Sequence, residues 1–237
     1  MRSEGGAVGI LVRWPEPGQV MPQLAPRLGP EAAAQVYEAF VGDLVAGLPL
    51  ATFDPFLYAA DNAEGFRDRF PHVPVRPQMG RNEGRRLHYC FEDLLSAHPM
   101  ALIVGSSLPD LHPRLLLSVF EMLERREAVV GPTERGGIYL LGMREPRDVF
   151  RGIKWGTPGV LATLLDNLKS AHLDYGFFPT RQKVETYEDL VALRGRLHRS
   201  MAPLTYATLA TLGVGDEARE FNRPVRASSR RSSGAGS

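Results

Sequence analysis

Short, nearly continuous apolar runs alternate along the chain with longer segments that are apolar on one side only. The runs Ala7–Trp14 and Ala101–Val104 are typical of strands that are buried on both faces of a sheet. Gly84–Ala97 and Pro109–Arg126 carry apolar residues at helical spacing, so each predicts an amphipathic helix. Strands that alternate with helices predict an α/β fold, a three-layer α/β/α domain with a mainly parallel, mixed sheet.

The same pattern predicts the remaining elements. Further strands are expected at Phe56–Ala60, Val73–Gln78, Ala128–Gly131 and Ile138–Met143, and further helices from Pro30 onward and at Ala63–Phe70, Pro158–Ala171, Tyr187–Arg199 and Leu204–Leu212. Residues 14–30 are rich in proline and glycine, and we expect neither helix nor strand there. Ligands bind such folds outside the carboxyl ends of the strands, so the loops after Trp14, Gln78, Val104 and Gly131 are the candidate binding loops.

Length and composition fit one ordinary domain. The 237 residues are 43% hydrophobic and 23% charged, which supplies enough apolar material for a full core. We expect residues 1–223 to form this domain and the polar Arg/Ser/Gly tail at 224–237 to be disordered. No stretch approaches the roughly 18 apolar residues that span a bilayer, and the first residues carry no apolar signal segment. The expected location is the cytoplasm.

Charge and cysteine content narrow the expected partners and chemistry. A formal net charge of +1 gives no reason to expect nucleic acid or a membrane as a partner. The single cysteine, Cys90, excludes an internal disulfide framework and lies on the apolar face of a predicted helix, so we predict a core role for it. The six histidines show no metal-ligand spacing. A protein partner stays open.

Several motifs, taken in order, resemble a known family. They are Arg13–Gly18 (RWPEPG), Leu24–Gly29 (LAPRLG), Gly105–Leu111 (GSSLPDL), Gly131–Gly142 (GPTERGGIYLLG), Phe150–Leu161 (FRGIKWGTPGVL) and Glu185–Leu190 (ETYEDL). From about Ala7 to Leu193 the chain resembles bacterial proteins of the glycosyltransferase-A type, with the nucleotide-diphospho-sugar transferase (Rossmann-like) fold and mostly unassigned substrates. That family is distantly similar to the guanylyltransferases of molybdenum-cofactor and phospholactate metabolism. The resemblance implies a transferase that binds a nucleotide or nucleotide sugar with Mg²⁺ or Mn²⁺.

The loop that meets the nucleotide phosphates in this family departs from the family pattern. Where the family reads P-G-x-V-K-T-R-L, this chain reads P-G-Q-V-M-P-Q-L, so Met21, Pro22 and Gln23 replace the basic segment. Cationic side chains are what phosphate binding needs, and none remains in that stretch. We therefore expect this loop to be a weak phosphate clamp or a packed surface loop.

The acidic positions that the resemblance assigns to metal binding are also changed. Ser107 stands for the metal-binding aspartate of the second loop, Arg135 for that of D-G-G-Y, and K-V-E-T (Lys183, Glu185) for D-V-D-T. Asn82 replaces an aspartate before the retained Arg86. A serine hydroxyl is a poor ligand for Mg²⁺, and an incoming cation would meet Arg135 and Lys183. We expect metal binding to be strongly impaired, and we predict no metal ligand.

The candidate site residues follow from these motifs. Asp110 and Glu185 are weak catalytic candidates, although Asp110 equally fits a helix start, as Asp189 does. Gly136 and Gly137 fit either close approach of a ligand or a tight turn. The residues expected to contact a nucleotide ligand are Arg13, Arg86, Gly105, Ser106, Ser107, Arg135, Gly136, Gly137, Trp155 and Lys183.

Two functional hypotheses remain from the sequence. In the favoured one, the chain is a pseudoenzyme-like binding module in which metal-dependent transfer is lost or strongly weakened. In the other, it is an active, metal-independent glycosyl- or nucleotidyltransferase in which Arg135, Lys183 and Arg86 neutralise the diphosphate.

Overall fold

The computed structural model describes residues 5–48 and 52–216, which form a three-layer α/β/α domain around one sheet. The seven strands are β1 (Ala7–Val12), β2 (Asp54–Ala59), β3 (Val75–Pro77), β4 (Ala101–Gly105), β5 (Ala128–Pro132), β6 (Ile138–Met143) and β7 (Tyr175–Phe177), in the spatial order β3-β2-β1-β4-β6-β5-β7. All neighbours pair in parallel except β6, which runs antiparallel to β4 and β5. The predicted mainly parallel, mixed sheet is confirmed.

Eight helices cover the sheet within the described residues. They are α1 (Ala25–Leu28), α2 (Pro30–Ala46), α3 (Ala63–Arg69), α4 (Glu83–Leu95), α5 (Pro113–Leu123), α6 (Val160–Ser170), α7 (Tyr187–Arg196) and α8 (Pro203–Thr211). Strand residues alternate between two apolar clusters, because successive side chains point to opposite faces of the sheet. In β4, Leu102 and Val104 pack in one cluster, while Ala101 and Ile103 pack in the other. Both faces of the sheet are thus buried.

One predicted helix start is wrong, and one helical turn was not predicted. The helix expected from Pro109 begins at Pro113 and is capped by the side chain of His112, which accepts a hydrogen bond from the N–H of Arg114. Both prolines can start a helix, and the burial of Leu108 and Asp110 keeps the intervening residues in a non-helical turn. The second error lies in the first loop, where Ala25–Leu28 forms a helical turn although we expected none.

The tail predicted at 224–237 lies outside the described residues. No helix among residues 5–48 and 52–216 is long and apolar enough to cross a membrane.

Candidate functional site

A cleft of about 370 Å³ opens at the carboxyl ends of β1 and β4, where the sequence predicts ligand-binding loops. Its walls come from α4, from the turn after β4, from β6 and from the loop before α6. We call Ser107, Arg135, Lys183 and Glu185 the rim. We call Leu11, Leu87, Ile103, Leu141, Trp155 and Val160 the inner cleft. The volume lies within the range of small-molecule sites, so the cleft is the candidate binding site.

The cleft brings together most of the residues expected to contact a ligand. Gly105, Ser106, Ser107, Arg135, Gly137, Trp155 and Lys183 line it, and so does Glu185. Arg13, Arg86, Gly136 and Asp110 are not among the lining residues. Parallel strands end at one edge of the sheet, which is why loops that are distant in sequence converge here.

Arg13 and Arg86 lie outside the cleft lining. The backbone of Arg13 and the side chain of Arg86 form hydrogen bonds there. The backbone N–H of Arg13 donates to the hydroxyl of Tyr37 at 3.0 Å, and that hydroxyl shares a 2.9 Å hydrogen bond with Ser106. Arg86 belongs to α4, and its Nε donates to the carbonyl oxygen of Gly80 at 3.3 Å. A nucleotide role for either arginine stays a prediction.

Gly136 has a clear structural role. Its φ of +75° lies in the left-handed region, and a Cβ at this position would overlap the carbonyl oxygen of Pro158. Its own carbonyl accepts the N–H of Leu161 at 2.8 Å, which joins the turn to the start of α6. These contacts favour the tight-turn interpretation of this glycine.

Asp110 is buried away from the cleft. Its carboxylate faces Arg196 at 3.5 Å and Arg181 at 3.9 Å, and its side chain is 7% exposed. One of its oxygens has no hydrogen-bond partner in the described structure. Because α5 begins three residues later, Asp110 does not act as that helix's first-turn acid.

The cations of the rim are paired with Glu185 and with Asp189, a carboxylate beside the rim. Arg135 forms a bidentate pair with Asp189, Nη1 to Oδ2 at 2.6 Å and Nη2 to Oδ1 at 2.9 Å. Its Nη1 also donates to Glu185 at 3.4 Å, and Lys183 lies 3.5 Å from the other oxygen of that carboxylate. Arg135, Lys183 and Glu185 of the rim thus form one network with Asp189, which lies beside the rim, and in this network two cations meet two carboxylates.

Asp189 holds this network in place from a buried position. Burial raises the pKa of its carboxylate, but Arg135 and the backbone N–H groups of Glu185 and Thr186 outweigh this and hold the pKa at about 2. Gln182 donates a further hydrogen bond at 3.1 Å. Thr186 and Asp189 form a reciprocal capping box at the start of α7, which confirms the predicted helix-start role of Asp189.

The donor set of the rim does not fit a divalent metal ion. Glu185 is the sole carboxylate of the rim, and it lies between Arg135 and Lys183. Mg²⁺ and Mn²⁺ bind through carboxylate and phosphate oxygens, and a cation beside two other cations is repelled. Across residues 5–48 and 52–216, no group of three His, Cys, Asp or Glu side chains is arranged to hold a metal.

The first loop is packed rather than open to a phosphate. Met21, which replaces the family's lysine, is 7% exposed and belongs to the apolar core together with Val20 and Leu24. Its φ is +45°, and its carbonyl accepts the N–H of Leu24 at 2.9 Å. The described geometry thus agrees with the interpretation of this segment as a packed surface loop.

Sequence reasoning missed the place of Glu83 in the cleft lining and the contacts that Asn82 and Asp189 make outside it. Glu83, the first residue of α4, lines the cleft; desolvation raises the pKa of its carboxylate, although Lys183 and Arg86 act to lower it. Asn82 caps that helix by accepting the N–H of Arg85 at 2.9 Å, a role that an Asn before a helical pattern could have signalled. From the sequence, Asp189 was interpreted only as a helix acid, but it also binds Arg135. No local sequence pattern indicates a partner that lies 54 residues away.

Comparisons with known proteins agree with this architecture. Residues 50–157 match a family of uncharacterized proteins conserved in bacteria (DUF2064). The crystal structure of a candidate nucleotide-diphospho-sugar transferase from Desulfovibrio desulfuricans G20 is similar with a TM-score of 0.83 and 27% identity, covering 94% of this chain and 100% of that one. A search of proteins with curated functions found no match.

Two more distant structures share the fold alone. A 4-diphosphocytidyl-2C-methyl-D-erythritol synthase is similar with a TM-score of 0.50 and 12% identity, covering 81% of this chain and 98% of that one. The bifunctional IspDF from Campylobacter jejuni gives a TM-score of 0.51 and 9% identity, and the match covers 79% of this chain and 53% of that protein.

Proposed function

The chain has the fold of nucleotide-diphospho-sugar transferases, and from this premise we propose that it is a binding module. In this proposal it takes a nucleotide or nucleotide sugar into the cleft without a metal ion, and metal-dependent transfer is lost or strongly weakened. The observation that carries the proposal is the pairing of Arg135 with Asp189 and Glu185 at the rim, where the family pattern has carboxylates.

The rim pairing argues against metal-assisted transfer. Glu185 would be the one rim carboxylate for the ion, and its two oxygens face Arg135 and Lys183 at 3.4 and 3.5 Å. Ser107 offers a neutral hydroxyl in place of a carboxylate. To bind there, a metal ion would have to displace both cations. The free energy lost by breaking those ion pairs exceeds the free energy gained from coordination by one carboxylate.

The same pairing disfavours the alternative, in which cations take over the role of the metal. Arg135 already makes a bidentate contact with a buried carboxylate, which raises the pKa of its guanidinium. Arg86 is not part of the cleft lining, and Lys183 is engaged with Glu185. A diphosphate would therefore compete with existing partners for each cation rather than meet free charge.

The first experiment is calorimetric titration with nucleoside triphosphates and nucleotide sugars, each with Mn²⁺ and with EDTA. We expect at least one ligand to bind with the same affinity in both conditions, and pyrophosphate release to stay far below about 1 per second. Affinity that rises tenfold or more with Mn²⁺, or turnover at ordinary enzyme rates, would overturn the proposal.

A gain-of-function variant sharpens this test. Ser107→Asp with Lys183→Asp restores two family acids beside Glu185, and we expect it to bind Mn²⁺, measured by the loss of free Mn²⁺ signal in electron paramagnetic resonance. The matched control, Ser118→Asp with Lys169→Asp, makes the same changes at exposed positions of α5 and α6. Mn²⁺ binding by the unmodified protein would contradict our account of the rim.

A further inference from the structure

The helix α8 lies at the surface although its sequence carries no charge. Residues 200–215 contain no Asp, Glu, Lys, Arg or His, and this is the longest such run of the chain. Other helices present charged residues to water, as Arg85 of α4, Asp166 of α6 and Glu188 of α7 do. A surface helix normally carries charged or polar residues on its outer side, so α8 departs from the pattern of its neighbours.

Large apolar side chains are exposed on this side of α8. Leu204 is 50% exposed, Tyr206 is 40% exposed, and Met201, just before the helix, is 43% exposed. Single apolar side chains are normal on a protein surface, but an uncharged group of them marks an interaction surface. We call this surface the α8 face. It consists of Met201, Pro203, Leu204, Tyr206, Ala207, Ala210 and Thr211.

The α8 face has a groove on one flank and an aromatic ring on the other. The groove, of about 510 Å³, lies between α2 and α8. Its α8 wall is formed by Leu204, Ala207, Thr208, Thr211 and Leu212. Helical spacing places Tyr206 and Ala210 on the opposite flank, and neither of them lines the groove. One surface thus presents both a ring and, about one helix diameter away, an open groove.

The chemistry of the groove suits a tyrosine side chain. Ala39 and Gly42 of α2 and the ring of Phe70 supply apolar contacts, and the ion pair between Glu38 and Arg69 also lies in the groove lining. A tyrosine in such a groove buries its ring against apolar atoms and keeps its hydroxyl within reach of polar groups. The α8 face therefore carries both the side chain and a groove that fits it.

Two-fold symmetry between copies of the chain fits this arrangement. In an isologous dimer both copies use the same surface, so each ring can enter the groove of the other copy. Residues near the two-fold axis face their own copies, where like charges repel, and the uncharged sequence of α8 avoids this repulsion. A lipid surface fits less well, because helices that lie on membranes carry Lys or Arg on their polar side.

We infer that the α8 face is the interface of a homodimer, in which Tyr206 of each copy occupies the groove between α2 and α8 of the other. The nine residues of α8 span about 14 Å, which is short for a standard interface of roughly 800 Å² per partner. We therefore expect a dissociation constant on the order of tens of micromolar. The dimer does not depend on what the cleft binds, because no described residue lines both the cleft and the groove.

Sedimentation velocity of the full chain from about 1 to about 200 µM tests the dimer. We expect the average mass to rise with concentration from that of one chain toward that of two. Tyr206→Glu places a charge on the ring position, and Ala207→Glu places one in the wall of the groove. Each should raise the dissociation constant by about tenfold or more, because a charge without a partner is desolvated in the interface. Ala162→Glu is the matched control, since Ala162 is an exposed alanine of α6 outside the α8 face.

A cysteine cross-link identifies the partner independently of those variants. Ala210→Cys places a thiol on the α8 face, whereas the native Cys90 is fully buried. Residues near a two-fold axis lie close to their own copies, so oxidation should link two chains through this thiol. Ala162→Cys should give far less linked product. Thermal melting checks that every variant folds.

The remaining outcomes would overturn the inference. They are a chain that stays monomeric at every concentration, a dimer that neither Tyr206→Glu nor Ala207→Glu weakens, and growth beyond two copies, which a closed two-fold contact does not allow. Flotation with vesicles of phosphatidylcholine and phosphatidylglycerol tests the lipid surface. A monomer that binds these vesicles, and loses that binding in Tyr206→Glu, would assign the α8 face to a membrane instead of a second copy.

Discussion

Two buried aspartates, Asp43 and Asp189, each cap the N-terminus of a helix, but they do so in different ways. Asp43 lies on α2 and accepts the N–H groups of Leu204 and Thr205 at 3.0 and 2.6 Å, so it caps α8 from 161 residues away. Asp189 accepts N–H groups at the start of its own helix, α7, and also binds Arg135 at the rim of the cleft.

The difference shows how the charge of Arg135 at the rim is balanced. The contacts of Asp43 join two helices away from the cleft, and it does not line the cleft. Asp189 links a helix cap to the ligand site, because both of its carboxylate oxygens accept hydrogen bonds from the guanidinium of Arg135, while Oδ2 also accepts the cap N–H groups. The cation at the rim is thereby paired with a carboxylate that also caps a helix of the fold.

Asp43→Ala tests the structural member of the pair and should have the largest effect on stability. It removes the acceptor of two N–H groups at the buried start of α8, which has no side-chain cap of its own, and we expect a loss of about 3 kcal/mol. Urea unfolding measures the loss, and Asp43→Asn, which keeps one acceptor oxygen, should lose less. Ligand binding should not change; a loss below about 1 kcal/mol would contradict the capping role.

Asp189→Asn tests the member that serves both purposes. It keeps an acceptor for the helix but removes the charge that holds Arg135, and we expect a stability loss of about 2 kcal/mol. The freed guanidinium should also raise the affinity for inorganic pyrophosphate severalfold, measured by calorimetry, which no Asp43 variant should do. Unchanged pyrophosphate affinity would show that the pairing does not limit the cation.

Low pH tests the role of Asp189, because protonation of its carboxylate removes the ion pair with Arg135. Because this pKa is lowered in the folded state, its contribution to stability is complete above about pH 4 and is lost as pH falls toward 2. A pKa of about 2 instead of the ordinary 3.8 corresponds to about 2 kcal/mol at neutral pH. The urea midpoints of the unmodified protein and of Asp189→Asn should converge between about pH 4 and pH 2, and a constant difference between the two midpoints would refute the assignment.

Thr186→Ala should have the smallest effect of this series. The Thr186 hydroxyl accepts the N–H of Asp189 at 3.2 Å, while the other half of the capping box remains in the variant. We expect a loss of about 1 kcal/mol, and Thr186→Ser, which keeps the hydroxyl, should restore most of it. A larger loss than that of Asp189→Asn would reverse the order proposed for the two halves of the box.

The sequence by itself determined the layers, the mixed sheet and the start of α7. Burial on two faces leaves continuous apolar runs, and the α7 cap lies within four residues, Thr186 to Asp189, so both signals are local. The convergence of Gly105, Arg135 and Lys183 on one cleft followed from their loops after the strands.

Only the tertiary structure decided what those residues contact. The sequence showed that Arg135 is a cation where the family has an acid, but not that Asp189, 54 residues later, would neutralise it. It predicted a helix start at Pro109, whereas α5 begins at Pro113, because Leu108 and Asp110 are buried in the turn before it. Helix caps and apolar runs depend on neighbours in the chain, whereas ion pairs and pocket walls depend on which distant segments the sheet brings together.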